Sequence, residues 1–101
     1  MDTDQLISHS RARFDHLQSK RLLKEKYQGK LVFAHQGGMF RASPEMIVFL
    51  NLYDDQTIVL QDLYETPVQV NAKELKDAMK QRWQEQMNAW FVEYTDLNQN
   101  R

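Results

Sequence analysis

The chain has 101 residues, of which 27% are charged and 42% are hydrophobic, and its formal net charge is −1. This length is that of one modest domain, too small for a core together with a deep, walled active site. There is no cysteine, which excludes disulfides, thiolate catalysis and cysteine metal sites. No apolar run approaches the ~20 residues of a membrane-spanning helix and no secretory leader is recognisable, so we expect a cytoplasmic protein without membrane contact.

The charges are unevenly distributed along the sequence. Residues 11–30 hold seven Lys or Arg against two acids, a local excess of +5. Residues 44–77 hold seven acids against two Lys, a local excess of −5. Such a separation bears on partners and packing rather than on the fold, and we expect the two blocks to attract one another, within or between subunits, or to bind other molecules.

A long first helix is predicted over residues 4–27. Acidic and hydroxyl residues at its start are good N-caps, and its basic second half suits the negative end of the helix dipole. The pair Gln28-Gly29 predicts its end. Ser10 and Arg21 interrupt its apolar side, which consists of Leu6, Ile7, Phe14, Leu17, Leu22 and Leu23.

A β-hairpin is predicted over residues 30–41. Two short β-prone runs flank Gly37-Gly38, a pair typical of a two-residue turn that requires positive φ. The alternative, a phosphate-binding loop, would need more glycine and a Lys–Ser/Thr pair at a helix start, and this segment has neither.

A short helix over 44–53 and a second hairpin over 57–70 are predicted next. A serine cap followed by Pro44 is typical of a helix start, although residues 47–50 are β-prone by composition. In the second hairpin, Pro67 stands at the first residue of the return strand, where a missing N–H is tolerated.

The strongest pattern predicts a long C-terminal helix over 72–97. Asn71 is a good N-cap, Glu74 stands where a capping box places its acid, and Val70 with Leu75 would form a hydrophobic staple. Apolar residues then recur every three or four positions as one stripe that includes both tryptophans. In its distal part, the residues that we predict to form an interface are Trp83, Met87, Trp90, Phe91, Tyr94 and Leu97.

The predicted order is α-β-β-α-β-β-α, a single α+β domain in which long N- and C-terminal helices flank a small antiparallel sheet. The simplest arrangement joins both hairpins in one four-stranded sheet with the helices on one face. Each long helix would measure about 36–40 Å, more than the ~30 Å breadth of a compact domain of this size. Either the first helix then pairs along its full length or a second subunit covers the overhang, and the heptad-like spacing favours self-association or docking to another protein.

The histidines do not form a recognisable catalytic or metal site. His9 and His16 lie two helical turns apart, too far to share a metal ion. His35 precedes a turn, and no nucleophile or activating motif is recognisable around it. We therefore predict that the protein is not an enzyme.

The paired acids are also better explained by local structure. Asp54-Asp55 is typical of a turn. A metal site formed by this pair with Asp62 stays open as an alternative, although the spacing does not match a calcium loop. We expect neither a metal ion nor an organic cofactor.

The basic half of the first helix supports a second hypothesis, contact with a nucleic-acid backbone or another anionic surface. Such binding would depend on salt but not on base sequence. Against it, the chain as a whole is slightly acidic, aromatic residues are not interleaved with the basic ones, and no nucleic-acid-binding motif is recognisable. The candidate residues are Arg11, Arg13, Lys20, Arg21, Lys24 and Lys26.

Four short segments and the last helix form a pattern within residues 28–97. The segments are Gly37-Gly38-Met39-Phe40-Arg41, Pro44-Glu45-Met46-Ile47, Val59-Leu60-Gln61-Asp62 and Pro67-Val68-Gln69-Val70, and the aromatic-rich helix runs from Arg82-Trp83 to Tyr94. This pattern resembles small uncharacterised proteins of large contractile-tailed bacteriophages, including those that infect cyanobacteria. The resemblance implies no enzymatic activity and assigns no functional residues. It implies a virion component, an assembly factor or a small protein acting on a host target, in the host cytoplasm or the virion.

Overall fold

A computed structural model describes residues 3–99 of the chain, with side chains described from residue 11 onward. The elements follow in the predicted order, and the α+β class with long flanking helices is confirmed. The helices and strands are α1 (Thr3–Lys30), β1 (Val32–His35), β2 (Gly38–Arg41), α2 (Pro44–Asn51), β3 (Thr57–Gln61), β4 (Pro67–Asn71) and α3 (Ala72–Gln99).

The described strands form two separate two-stranded antiparallel sheets, β1–β2 and β3–β4, so the prediction of one four-stranded sheet is wrong. The free edge of β2 meets the turn of the second hairpin instead of a strand. There the Met39 N–H donates to the Asp62 carboxylate at 3.0 Å, and the Leu63 N–H donates to the Met39 carbonyl at 2.9 Å. Because a turn already satisfies these backbone groups, this position on β2 has none left to pair with another strand.

The first hairpin turns at Gln36-Gly37, one residue before the predicted pair Gly37-Gly38. The φ values of these two residues, 46° and 88°, are those of a tight turn with two positive-φ positions. Gly38 instead opens β2 and is buried. A Cβ at Gly38 would lie 2.9 Å from the Phe40 ring and 3.1 Å from Val68, so close packing requires glycine at this position.

Side-chain caps begin α2 and α3 as predicted. The Ser43 hydroxyl accepts the Met46 N–H at 3.2 Å, and the Asn71 side chain accepts the Glu74 N–H at 2.9 Å. The second half of the capping box differs, because the Gln36 side chain, and not Glu74, accepts the Asn71 N–H, at 3.0 Å. Gln36 also donates to the Glu74 carboxylate at 3.0 Å, so the start of α3 is tied to the first hairpin.

The helix ends differ by a few residues from the prediction. α1 continues through Gly29 to Lys30, because a helical glycine costs only about 1 kcal/mol and Tyr27 in the same turn is buried. α2 ends at Asn51, two residues early, and the chain continues as a turn to Asp55.

The core lies between the two hairpins, α2 and the first half of α3. Leu50, Leu75 and Met79 are 0% exposed, so they remove the largest possible apolar area from water. We call residues 31–83 the head. Its buried apolar residues are Leu31, Phe33, Phe40, Ala42, Leu50, Val70, Ala72, Leu75 and Met79.

An antiparallel helix pair projects from the head, and we call its two parts, residues 11–30 of α1 and 84–99 of α3, the stalk. The molecule measures 66 × 24 × 19 Å, and its radius of gyration of 19.5 Å far exceeds the ~13 Å of a compact chain of this length. The predicted overhang of the long helices is therefore confirmed.

The helix pairing covers only the second half of α1. Tyr27 packs on Trp90, and Lys20 lies over the Tyr94 ring. Because the helices are antiparallel, these contacts place the described end of α3 level with about residue 18 of α1. Residues 3–16 therefore extend about 21 Å beyond the described end of α3, and pairing along the full length of α1 is excluded for the described residues.

Candidate functional site

A cluster around Tyr27 holds the base of the stalk. The Tyr27 ring, 2% exposed, stacks on Trp90 with centroids 6.5 Å apart and 9° between planes. Its hydroxyl donates to the Glu93 carboxylate, which also pairs with the Lys26 ammonium at 2.8 Å. These contacts set the rotation of α3 against α1, and so decide which of its apolar residues face outward.

The same contacts shift the pKa values of the three ionisable groups. Hydrogen bonds from Lys26 and then Tyr27 hold the pKa of Glu93 below its ordinary value. The hydrogen bond to Glu93 is the main cause that raises the pKa of Lys26 and the pKa of Tyr27. At neutral pH the cluster is therefore a carboxylate held between an ammonium and a neutral phenol.

Four of the six predicted interface residues line one shallow apolar groove of about 290 Å³ on the stalk. Phe91 is the most open among them, at 70% exposed, and the other three are half-buried. Partly exposed aromatic and apolar side chains grouped on one surface are typical of protein contacts. The groove residues are Met87, Trp90, Phe91 and Tyr94.

The structure places the other two predicted interface residues elsewhere. Trp83 packs against the core of the head, and so does Met87, which also lines the groove. Leu97 lines a recess on another side of the stalk, with Leu23 and Glu93. The apolar stripe of α3 is therefore divided among the head, the groove and the second side of the stalk.

The groove continues onto α1, a contribution that sequence reasoning missed. Leu17 lines an adjoining recess of about 220 Å³ together with Trp90 and Tyr94, which also line the groove. Phe14 and Leu17 are 59% and 54% exposed, so this part of the apolar side of α1 stays open. The interruption of that apolar side by Arg21 was the signal in the sequence that α1 is not buried along its length.

The six basic candidates all lie on the stalk and are exposed. Lys26 pairs with Glu93, Lys20 lies 5.8 Å from the centroid of the Tyr94 ring, and Arg21 is 3.9 Å from Glu25 one helical turn away. Within residues 11–99, whose side chains are described, the remaining three form no ion pair. They are Arg11, Arg13 and Lys24.

The histidines are not brought together. His16 lies half-buried on α1, and His9 lies where the structure describes no side chain. His35 packs edge-on to the Phe33 ring, and its Nε2 has no hydrogen-bond partner among the described residues. No group that could activate His35 or accept its proton is therefore placed against it in the described part of the chain.

The acidic residues act within turns. Asp54 has a positive φ of 50°, and the Asp55 carboxylate accepts from the Asn71 side chain at 3.0 Å. Asp62 accepts backbone N–H bonds from Met39, Tyr64 and Thr66, and the bond from Met39 is the main cause that lowers the pKa of the Asp62 carboxyl. In the described ranges, no three His, Asp or Glu residues lie close enough to hold a metal ion.

No protein-family model matches the chain, no curated protein matches it and no solved structure matches it. Among the described residues, no helix combines the length and the apolar character needed to cross a membrane.

Proposed function

We propose that the protein is a non-enzymatic interaction module that self-associates through the apolar groove of its stalk. The observation that carries this proposal is the grouping of Met87, Trp90, Phe91 and Tyr94 in one open apolar groove of the stalk, where the Phe91 ring is 70% exposed. Full burial of one large apolar side chain contributes about 1.5–3 kcal/mol. Several such residues on each of two subunits would offset the ~4–15 kcal/mol cost of association.

The available polar groups support a binding role over a catalytic one. The Nε2 of His35 has no described partner, and both carboxylate oxygens of Asp62 accept backbone N–H bonds. The stalk groove, in contrast, offers apolar contact area without a carboxylate, an imidazole or an amine among its four lining residues. Such a surface suits recognition of another protein surface.

The resemblance to proteins of contractile-tailed phages is consistent with this kind of module. We extend the proposal to a virion component, an assembly factor or an accessory protein that acts on a host target. The protein would then work in the host cytoplasm or the virion. Detection of the chain in purified virions by mass spectrometry would support the structural role, and its absence would favour the accessory role.

The proposal is tested by light scattering on the full chain at low and high salt. We expect a salt-resistant species at twice the 12.1 kDa chain mass or larger. Phe91→Glu should lower the solution mass to that of a single chain, because self-association would bury the introduced carboxylate in the contact. Leu52→Glu, at a site 74% exposed on the head, is the matched control and should leave the mass unchanged. A wild-type chain that stays monomeric at high concentration would refute self-association.

The second candidate function is backbone contact with nucleic acid through the basic side of α1. It is supported by Arg11, Arg13 and Lys24, which form no ion pair among the described side chains. Absorbance at 260 and 280 nm, recorded during the same light scattering, separates the two functions. Bound nucleic acid that is removed by salt, and retention that is abolished by Arg21→Glu with Lys24→Glu, would favour the second.

A further inference from the structure

β3 is an edge strand of the second sheet, and the backbone groups on its outer side have no described partner. Directly after the strand, the Asp62 N–H donates to the Thr66 carbonyl of the return segment at 3.0 Å. Because an antiparallel ladder alternates between bonded and non-bonded pairs, this bond and the register direct the N–H and C=O groups of Thr57, Val59 and Gln61 away from β4. No hydrogen bond within the described part of the chain reaches these outward groups.

β3 also lacks the features by which edge strands avoid pairing with other chains. It contains neither a charged residue nor a proline, and its register with β4 has no bulge. The outer edge of β4 is better protected, because Pro67 has no N–H and the Asn71 N–H donates to the Gln36 side chain. Each residue of β3 keeps part of its surface in water, and Val59 is 67% exposed. The edge of β3 is therefore open to strand addition, in which another extended segment continues the sheet.

We infer that a second copy of the chain pairs with this edge, β3 against β3, antiparallel about a two-fold axis at Val59. The axis stands perpendicular to the sheet, so the inner faces of both hairpins lie on the same side. Val59 is then opposite its own counterpart, and Thr57 is opposite Gln61 of the second copy. These pairs exchange the outward N–H and C=O groups as hydrogen bonds, which joins the two hairpins in one sheet of order β4-β3-β3-β4.

The order of residues in β3 identifies a second copy as the occupant. Thr-Ile-Val-Leu-Gln has a polar residue at each end and three apolar residues between them, so it has the same pattern in both directions. Antiparallel self-pairing therefore sets Ile58 beside Leu60 and Val59 beside Val59, as apolar cross-strand pairs. Beyond the strand, Asp62 would lie opposite Gln56, so no like charges oppose each other there. A two-fold contact requires such a symmetric order, whereas addition of an unrelated strand does not.

This contact is separate from the apolar groove, because β3 belongs to the head and the groove to the stalk. Two different two-fold contacts on one chain allow assemblies larger than a dimer. The strand contact joins few large side chains, so it is the weaker of the two. We expect it to link the pairs formed through the stalk as the protein concentration rises.

The first test uses single cysteines, since the chain has none of its own. With oxidised glutathione, Val59→Cys should form a disulfide-linked dimer, because bonded pairs on adjacent strands have Cα atoms about 5.5 Å apart, within disulfide reach. Gln69→Cys is the matched control, because Gln69 is exposed and lies opposite Val59 on β4. The two Gln69 positions would be three strand spacings apart, about 14 Å, so this variant should give at least tenfold less linked dimer on a non-reducing gel. Equal linking of the two variants, or no linking of Val59→Cys, would overturn the inference.

The second test fixes the register. Thr57→Cys alone and Gln61→Cys alone should not cross-link, because each residue would lie about 14 Å along the strands from its counterpart. A mixture of the two variants should cross-link, because Thr57 of one copy faces Gln61 of the other. A disulfide in Thr57→Cys alone would indicate a parallel or shifted pairing and would overturn the inference.

The third test separates the strand contact from the proposed stalk contact. Val59→Cys should cross-link to the same extent with and without Phe91→Glu at equal protein concentration, because the groove lies outside the head. Circular dichroism of each variant confirms that the chains remain folded. Loss of the cross-link in the Phe91→Glu chain would refute β3 as a contact in its own right and leave the stalk contact standing. A wild-type chain that is monomeric by light scattering, together with a Val59→Cys chain that cross-links, would refute the stalk contact and support pairing through β3.

Discussion

The head and the stalk use the same helix in opposite ways. In the head, α3 buries Leu75 and Met79 completely, whereas in the stalk Phe91 and Val92 of the same helix are 70% and 59% exposed. The hairpins and α2 cover the helix in the head, whereas among the described elements α1 is the one that lies along it in the stalk beyond Met87. One neighbouring helix covers one side of an apolar stripe, so the same periodic pattern yields a core at one end and an open surface at the other.

The largest expected effect separates core from surface. Leu75→Ala should lower the free energy of unfolding by about 2–5 kcal/mol, because it opens a cavity in a fully packed site. Phe91→Ala should change the stability of the monomer by less than about 0.5 kcal/mol, because the ring is mostly in water already. Urea unfolding, monitored at a concentration below self-association, measures both. Similar losses for the two variants would contradict the division into head and stalk.

Replacing one glycine in the head and one in the stalk should change the stability by intermediate amounts and with opposite signs. Gly38→Ala in the head should destabilise the fold by about 1–3 kcal/mol, because its methyl group would press on the buried Phe40 ring and on Val68. Gly29→Ala in the stalk should stabilise α1 by about 0.5–1 kcal/mol, because nothing lies within 4 Å of the new methyl group and alanine favours the helix. Thermal melts of the two variants test whether the changes have opposite signs.

The smallest expected effect concerns the Tyr27 cluster and pH. The pKa of Glu93 is lowered in the folded chain, so its ionised form stabilises the stalk above its ordinary pKa of 4.5. This contribution is lost as the pH falls through the lower folded value. Wild type should therefore be more stable than Glu93→Gln at neutral pH, and the difference should shrink in acid. The difference is small because Glu93 and Lys26 are 42% and 46% exposed. If the stability difference between wild type and Glu93→Gln stayed constant from pH 7 to pH 2, Glu93 would not have a lowered pKa in the folded chain.

The order of elements could be predicted because its signals are local. Asn71 caps α3 and Ser43 caps α2 as their sequence positions indicate. The same kind of reasoning placed the first turn one residue late, because Gly37 and Gly38 are alike in sequence. Only the positions of Phe40 and Val68 show that Gly38 is a packing residue. The partnership of Gln36 with Asn71, 35 residues away, has no sequence signal.

The candidate site was predictable in part. The stripe of α3 pointed to Trp90, Phe91 and Tyr94, which do share the groove. The stripe could not show that Trp83 faces the head or that Leu97 faces another side of the stalk. Those differences depend on how far α1 rotates and slides against α3, which long-range contacts decide.

The sequence alone predicts the helices, the hairpins and their order, because caps, turns and apolar periodicity act over a few residues. It also determined that two helices are too long for one compact body, since helix length follows directly from residue number. The tertiary structure alone decided that the hairpins form separate sheets and that α1 extends past α3. It also decided which apolar residues remain exposed, because these outcomes depend on side chains far apart in the chain competing for the same core.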